Sequence, residues 1–425
     1  MTHFGIICPT AVGHLNPMTA LGRELQRRGH QVTVLGILDA QPNALAAGLE
    51  FRAIAESECP PGSIAQVFAQ LGKLNGLAAF RYTVSVFKDS EALLLRDAPK
   101  ALKEAGVEAL LVDETTSAGG TVAEFLQIPF VTVCCALMLY EEDAIPPFFT
   151  TWSYNSAWWA LLRNQMGRSL LRRIAQPIRE VVNEYRQQWK LPLQSYSSEI
   201  YSKLAIISQQ PAEFEFPRLK LPPHLHFTGP VYDLTGRQSV DFPYEKLNGK
   251  PLIYASMGTL QNRLQNVFRY IAEAAEKLDA QLVISLGGAL DPERLSELPG
   301  EPLVVKYAPQ LELLKKTTLT ITHAGLNTTL ESLSNGVPMV AIPVANDQPA
   351  VAARIVWTGA GEFVTLSRLN VPRLREAIQR VFTQDSYKHN ALRLQEHIRH
   401  AGGVTRAADI VEKAVSTGKP TMNSN

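Results

Sequence analysis

A chain of 425 residues with 46% apolar residues and a net charge of +1 is long for one hydrophobic core and comfortable for two domains of roughly 200 residues each. The balanced charge excludes the strong basic bias of a nucleic-acid-binding chain, and no run of about 20 apolar residues is present to span a bilayer. The opening FGIIC, three residues in, lacks the basic leader and long apolar stretch of a signal peptide, so the expected location is the cytoplasm. The four cysteines, Cys8, Cys59, Cys134 and Cys135, show no Cys-x-x-Cys spacing and read as reduced, mostly buried thiols. His224 with His226, and His397 with His400, lack the companions of a metal site, and no metal is expected.

In chain order, FGIIC reads as a strand and PTAVGHLN as a loop. PMTALGRELQRRG reads as a helix, with Asn16 as its cap, Pro17 at its first position and Gly29 as its stop. QVTVLGI is the next strand, and EALLVD and PFVTVCC flank a helix near Ala118 to Leu126. Between Phe148 and Trp159 lie Phe148, Phe149, Trp152, Tyr154, Trp158 and Trp159. Arg163, Arg168, Arg172, Arg173 and Arg179 follow, and no acidic residue interrupts 144–179. Two readings fit that stretch. One is an aromatic patch beside a basic helix, suited to an anionic bilayer or a greasy substrate. The other is a helix that packs its aromatics inward and leaves its arginines in water. The Pro/Gly/charge-rich segment 229–250 is the best linker. Strands follow at LIYAS, QLVISL, LVVKY, TLTIT and PMVAIPV; AADIVEKAV is a late helix and TGKPTMNSN a frayed tail. This alternation predicts an α/β protein with two doubly wound parallel domains.

Ligands of open parallel sheets collect beyond the carboxyl ends of the strands. In the second half those ends carry SMGTLQ, SLGG, YAPQ, THAGLNTT and VANDQ, rich in Gly, Ser, Thr, Asn and Gln with few cations. Such loops suit neutral hydrogen bonding to a sugar and base, with phosphates resting on N–H groups, hydroxyls and helix N-termini. Within THAGLNTTLE, Leu326, Leu330 and Leu333 repeat at core-facing helical spacing, while Asn327, Thr328 and Glu331 share another face. Two readings stand here as well: a phosphate and ribose site, or a plain capping box formed by Thr328 and Glu331.

The run YAPQLELLKKTTLTITHAGLNTTLESLSNGVPMVAIPVANDQ, residues 307–348, closely resembles the sugar-nucleotide signature of family 1 UDP-dependent glycosyltransferases. The continuation DQPAVAARI is most similar to the bacterial branch of zeaxanthin and macrolide glycosyltransferases. GHLNP and VDE extend the likeness into the first half, and 140–227 is the least recognisable part. The resemblance implies two Rossmann-like domains facing across a cleft (the GT-B arrangement). Residues 1–228 would bind acceptor, 229–250 would link, 251–400 would bind nucleotide-sugar, and 401–425 would form a helix and tail able to pack back on the first domain. It also implies that Gln310 contacts uracil and that Tyr307 stacks on the base. His323, Asn327 and Thr328 would hold the diphosphate, with Ser256, Thr259 and Gly325 beside them. Glu331 would take the ribose, and Asp347 and Gln348 the sugar hydroxyls. Tyr307 and Leu326 stand where plant members carry tryptophan, which leaves uridine and thymidine donors both open. No cofactor beyond the UDP-sugar substrate is implied.

A hydroxyl acceptor is a poor nucleophile that a positioned base improves. His14, after the first strand, and Asp113, at the end of another, should emerge on one edge of the same sheet. An aspartate on one ring nitrogen would fix the tautomer and stabilise the imidazolium. Packing in a turn and capping of the next helix are the plainer roles for the two residues. The resemblance implies the catalytic pair, an inverting displacement, and no metal, since the chain has no Asp-x-Asp and the Glu141-Glu142-Asp143 run reads as a solvated loop. The expected acceptor is a lipophilic alcohol (a carotenoid, sterol, polyketide or polyphenol), with Phe148, Trp152, Trp158 and Trp159 as its contacts and peripheral membrane contact as an option. A dehydrogenase is disfavoured because PTAVGHLNP is no Gly-x-Gly-x-x-Gly turn. A non-catalytic sugar-nucleotide-binding partner and an epimerase or lipid-linked cell-wall transferase on the same fold stay open.

Overall fold

The β-branched runs resolve into two parallel sheets in a computed structural model that describes residues 1–72, 74, 76–195, 197–232, 240–258, 265–288, 292–295 and 297–423. The first half runs β1 (His3–Ile7), α1 (Val12–Arg27), β2 (Gln31–Gly36), α2 (Gln41–Ala46), β3 (Glu50–Ala53), α3 (Ser63–Leu71), α4 (Gly76–Ala105), β4 (Ala109–Asp113), α5 (Ser117–Leu126), β5 (Phe130–Cys134), α6 (Trp158–Ile174), α7 (Gln176–Gln188), β6 (Ile206–Ser208) and β7 (Leu225–Phe227). The second runs β8 (Leu252–Ser256), α8 (Gln265–Ala275), β9 (Gln281–Ser285), β10 (Leu303–Val305), α9 (Gln310–Leu314), β11 (Thr317–Thr322), α10 (Leu326–Ser334), β12 (Met339–Ala341), α11 (Gln348–Trp357), β13 (Gly361–Phe363), α12 (Val371–Thr383), α13 (Asp385–Ala401) and α14 (Gly403–Thr417).

The sheet orders are β3-β2-β1-β4-β5-β6-β7 and β10-β9-β8-β11-β12-β13. In both, the chain reverses its direction of growth beside the first strand, which opens a crevice at the strands' carboxyl ends. Registers line those ends up. Ile7 stands opposite Val112, so Asp113 follows one step beyond; Ser256 stands opposite both Thr322 and Ser285. Both faces of each sheet are covered, which is why β1, β4 and β8 are buried along their whole length.

A returning helix and a buried ion pair are among the contacts that join the halves. Helix α14 returns to the first sheet, with Ala407, Ile410, Val411 and Ala414 in one cluster with Ile6, Met18 and Leu21, and Arg28 reaches both Asp409 and Glu412 at 2.6 Å. Arg354 of α11 meets Glu215, from the segment between β6 and β7, in a fully buried ion pair at 2.5 Å.

Three local expectations fail. Helix α1 starts at Val12 behind Ala11, so Asn16 is no cap, Pro17 lies inside the helix and His14 stands in its first turn rather than in a loop. A proline there removes the N–H that Gly13 would accept from, and Asn327 supplies a replacement donor to the Gly13 carbonyl at 2.8 Å. Helix α10 starts at Leu326 behind Gly325, so Thr328 is helical and forms no capping box. The tail is not frayed as far as Asn423: Thr421 donates to the Leu204 carbonyl and accepts from His226, and the Asn423 N–H donates to Pro223.

Candidate active site

His14, on the first turn of α1, places Nδ1 2.8 Å from Oδ2 of Asp113 at the end of β4. The aspartate is fully buried while the imidazole keeps a fifth of its side chain exposed. Thr115 locks the other carboxylate oxygen, donating from its N–H at 2.9 Å and its hydroxyl at 2.5 Å. An ionised carboxylate only accepts, so Nδ1 carries the proton and Nε2 presents its lone pair. Burial alone would lower the His14 pKa; the Asp113 charge and hydrogen bond outweigh it and raise the pKa above its ordinary value. Burial would conversely raise Asp113, and His14 with Thr115 holds it below the usual range. The next carboxyl is different in kind. Burial pushes Glu114 up to about 8, against bonds from the Leu139 N–H and the Tyr201 hydroxyl at 3.0 Å each. Two adjacent carboxyls therefore differ in charge at neutral pH.

The second half faces this pair directly. Asn327 donates to Gly13, next to His14, and accepts from Gln209 at 2.8 Å; Gln209 also donates to the Cys135 carbonyl. Asp347 accepts from the Leu137 N–H at 3.0 Å. Burial raises its pKa, and the nearby His14 pulls the other way. Gln209 and the loop 135–139 carried no recognisable signal, because a glutamine after a short strand is compatible with any exposed turn.

Around α10, His323 lies between two glycines: a Cβ at Gly258 or Gly325 would come within 2.7 or 2.4 Å of its Nε2. Burial lowers its pKa to about 4, against a weaker opposing effect of the Ser256 backbone; its buried Nδ1 has no hydrogen bond of good geometry. The ring is therefore neutral, with Nε2 beside backbone that carries no side chains. Gln310 opens α9 and donates to Glu331 at 2.5 Å and to Thr328 at 3.4 Å, while Tyr254 donates to it at 3.1 Å. The Glu331 carboxylate thus serves Gln310 rather than its own helix start. Tyr307 is half exposed and lies so close over Gly288 that a Cβ there would overlap its hydroxyl. The Gln348 side-chain carbonyl accepts from the Val344 and Ala345 N–H groups, which leaves only its Nε2 for a ligand. Ser256 is buried at the end of β8. Thr259 lies outside the described residues.

The four aromatics expected on the acceptor have different neighbours. Phe148 packs on the cluster of Leu137, Leu326 and Leu330. Trp152 and Trp159 take the Arg163 guanidinium at 4.4 and 5.5 Å, and Trp158 faces outward. The Glu141-Glu142-Asp143 loop is only partly solvated, with Asp143 74% exposed. Glu142 is buried and accepts from the Leu219 and Lys220 N–H groups, Asp143 pairs with Arg168, and Glu141 with Arg172.

A histidine–carboxylate pair thus stands across from a helix N-terminus and a buried neutral histidine. A profile of the family described as UDP-glucoronosyl and UDP-glucosyl transferase matches residues 57–404. The chain belongs to that family. This glycosyltransferase is 30% identical to a zeaxanthin glucosyltransferase of Pantoea ananas, over 100% of this chain and 99% of the relative. It is also 30% identical to a zeaxanthin glucosyltransferase of Pseudescherichia vulneris, over 98% of each. The solved calicheamicin glycosyltransferase CalG4 superposes on the glycosyltransferase with a TM-score of 0.76 at 22% identity, over 99% of this chain and 100% of the other. The fold is therefore GT-B, and the protein is an enzyme that transfers sugar from a nucleotide donor.

Proposed function

We propose that the protein is an inverting, metal-independent transferase that moves a hexose, glucose in the first instance, from a UDP-sugar to a hydroxyl of a lipophilic small molecule. The observation that carries this reading is the His14–Asp113 pair, with its imidazole partly open and its carboxylate sealed and ionised. Nε2 takes the acceptor's hydroxyl proton as the oxygen attacks the anomeric carbon from the face opposite the diphosphate. The new C–O bond forms as the bond to the leaving diphosphate breaks, and Asp113 stabilises the imidazolium. Charge on the diphosphate is met by the first turn of α10 and by one N–H of the neutral His323. Thr328 and Ser256 add hydroxyls, and Asn327 turns to the donor by exchanging its bonds to Gly13 and Gln209. Tyr307 stacks on the base, Gln310 contacts its edge, and Glu331 accepts from the ribose. Asp347 and the Gln348 Nε2 hold the sugar. The names of the two zeaxanthin glucosyltransferases support a hydroxylated, largely apolar acceptor.

The test is a panel of alcohols and free sugars with UDP-glucose, read by mass spectrometry, with the product anomer assigned by NMR. A β-glucoside formed best on apolar alcohols, with activity kept in EDTA, is the expected result. A retained α configuration, a preference for free sugars, or strict dependence on added magnesium or manganese rejects the reading.

A further inference from the structure

We propose that the outward face of α6 seats this protein on an anionic lipid bilayer. The helix is polarised opposite to an ordinary surface helix. Its inward face takes polar groups: Asn164 is fully buried and donates to the Asp143 carbonyl, and buried Arg168 donates to the Glu142 and Ile145 carbonyls and to the Asp143 carboxylate. Its outward face carries the large apolar side chains, with Gln165 and Ser169 as the exposed polar residues among them. Trp158 is 77% exposed and Met166 67%, with Trp159, Leu162 and Leu170 about half exposed. Residues 158, 162, 166 and 170 step by four, so these side chains form one stripe roughly 18 Å long.

The helix is firmly mounted. Gly167 lets it lie on Pro147, where a Cβ would come within 2.7 Å of the ring, and Arg163 ties it to Trp152. The same loop carries Phe148, packed against the α10 cluster, so the exposed stripe and the candidate active site share one rigid support.

Charge selects the occupant. Helix α6 contains no acidic residue, and none occurs over 144–179. Arg172 and Arg173 lie exposed beyond the stripe's C-terminal end, Arg172 in contact with Glu141, and Arg179 is exposed on the helix that follows. Tryptophan at one end, aliphatic side chains along the stripe and arginines at the other match the interface of a bilayer with negative headgroups. A second copy of the chain is the poorer fit, since a stable dimer takes roughly 800 Å² and 20–30 residues from each partner. No described helix is long and apolar enough to cross a membrane, so the contact is one of lying on the surface. The proposal deepens the lipophilic-acceptor reading by giving such a substrate a source, but it is measured by binding alone.

The experiment is co-sedimentation of the full chain with vesicles of phosphatidylcholine, with and without about a third phosphatidylglycerol, alongside transfer assays on a water-soluble alcohol. The wild type should bind the anionic vesicles at least tenfold better than the neutral ones. Met166→Glu with Leu170→Glu should abolish vesicle binding, and Arg173→Glu with Arg179→Glu should abolish the anionic preference, both with kcat/KM on the soluble alcohol unchanged. Absence of sedimentation with anionic vesicles, binding indifferent to both pairs, or a concentration-dependent dimer dissolved by Met166→Glu with Leu170→Glu would each overturn the proposal. Absence of transfer by the wild type with vesicle binding intact would count against the proposed transferase activity instead.

Discussion

In the proposed reaction His14 works only as a neutral imidazole. Asp113 raises its pKa above the ordinary value, so kcat/KM should fall as pH drops through a midpoint above 6.5. Asp113→Asn removes the largest raising influence and leaves burial, which lowers the pKa, against the weaker Asp347 and Glu114; the midpoint should move to lower pH while kcat drops. His14→Ala should cost about a hundredfold or more in kcat with UDP affinity by calorimetry preserved, and near-normal turnover would refute the base. Glu114 gives a second pH effect. Its folded pKa of about 8 lies above the ordinary 4.5, so the folded state holds a proton that the unfolded chain releases earlier. The Glu114 contribution to stability is therefore full below about pH 4.5 and is lost up to about pH 8, on the order of 1 kcal/mol per pH unit across that window. Glu114→Gln keeps an acceptor for Leu139 and Tyr201 without titrating, and its melting temperature should fall less between pH 5 and 8. His14 and Asp113 were legible as candidates because each follows a clear strand. Glu114 was not, since its pKa depends on how deeply its neighbours bury it.

At the scale of the element, α1 and α10 show why helix starts are hard to read. Asn16-Pro17 has the form of a helix entry, yet the helix begins at Val12 because the bond Pro17 cannot give is replaced from another part of the molecule. Pro17→Ala would restore an N–H to Gly13 that competes with Asn327. Because Asn327 leaves Gly13 when it turns to the donor, we expect a several-fold fall in donor KM with little change in melting temperature, and an unchanged KM would show that the Gly13 contact does not matter to donor binding. Thr328 and Glu331 likewise have capping-box spacing, but a helix entered at Leu326 puts Thr328 inside it and leaves Glu331 to Gln310. Glu331→Ala should thus weaken UDP binding in calorimetry. Retained affinity would remove the ribose role.

For the whole molecule, the decisive contact is Glu215 with Arg354. Both are buried, the guanidinium meets the carboxylate through Nε and Nη2, and the Phe216 ring lies 4.3 Å from it. Burial opposes both charges, yet each offsets much of the cost for the other: Glu215 is held below the usual carboxylate range even though burial would raise it. Removing Arg354 leaves Glu215 with Arg218 at 3.3 Å and Gln210 at 2.8 Å, so Arg354→Ala should destabilise by about 3 kcal/mol, the low end for a broken buried pair, in denaturant unfolding. The double replacement Glu215→Gln with Arg354→Leu, which keeps an acceptor for buried Arg218, should recover part of that loss. A mild effect of the single change would mean that water reaches the pair. This contact, the Asp347–Leu137 bond and the Asn327–Gly13 bond hold the halves together around the candidate site.

The parallel α/β class, the strands that carry the site and the loops at their carboxyl ends follow from local patterning. Buried parallel strands need unbroken β-branched runs such as QVTVLG and TTLTIT, and a crevice loop needs small polar residues, whatever else the chain does. The short strands β6 and β7, the inward arginines of α6 and the pinned tail follow no local rule. Three residues carry no periodicity, and an arginine faces inward only when distant carbonyls are there to receive it, as those of Glu142 and Ile145 receive Arg168. Which residues could bear the chemistry is a property of their types and spacing. Their charge states, and which atoms of the two halves meet, belong to the tertiary structure, because burial and charge act through space rather than along the chain.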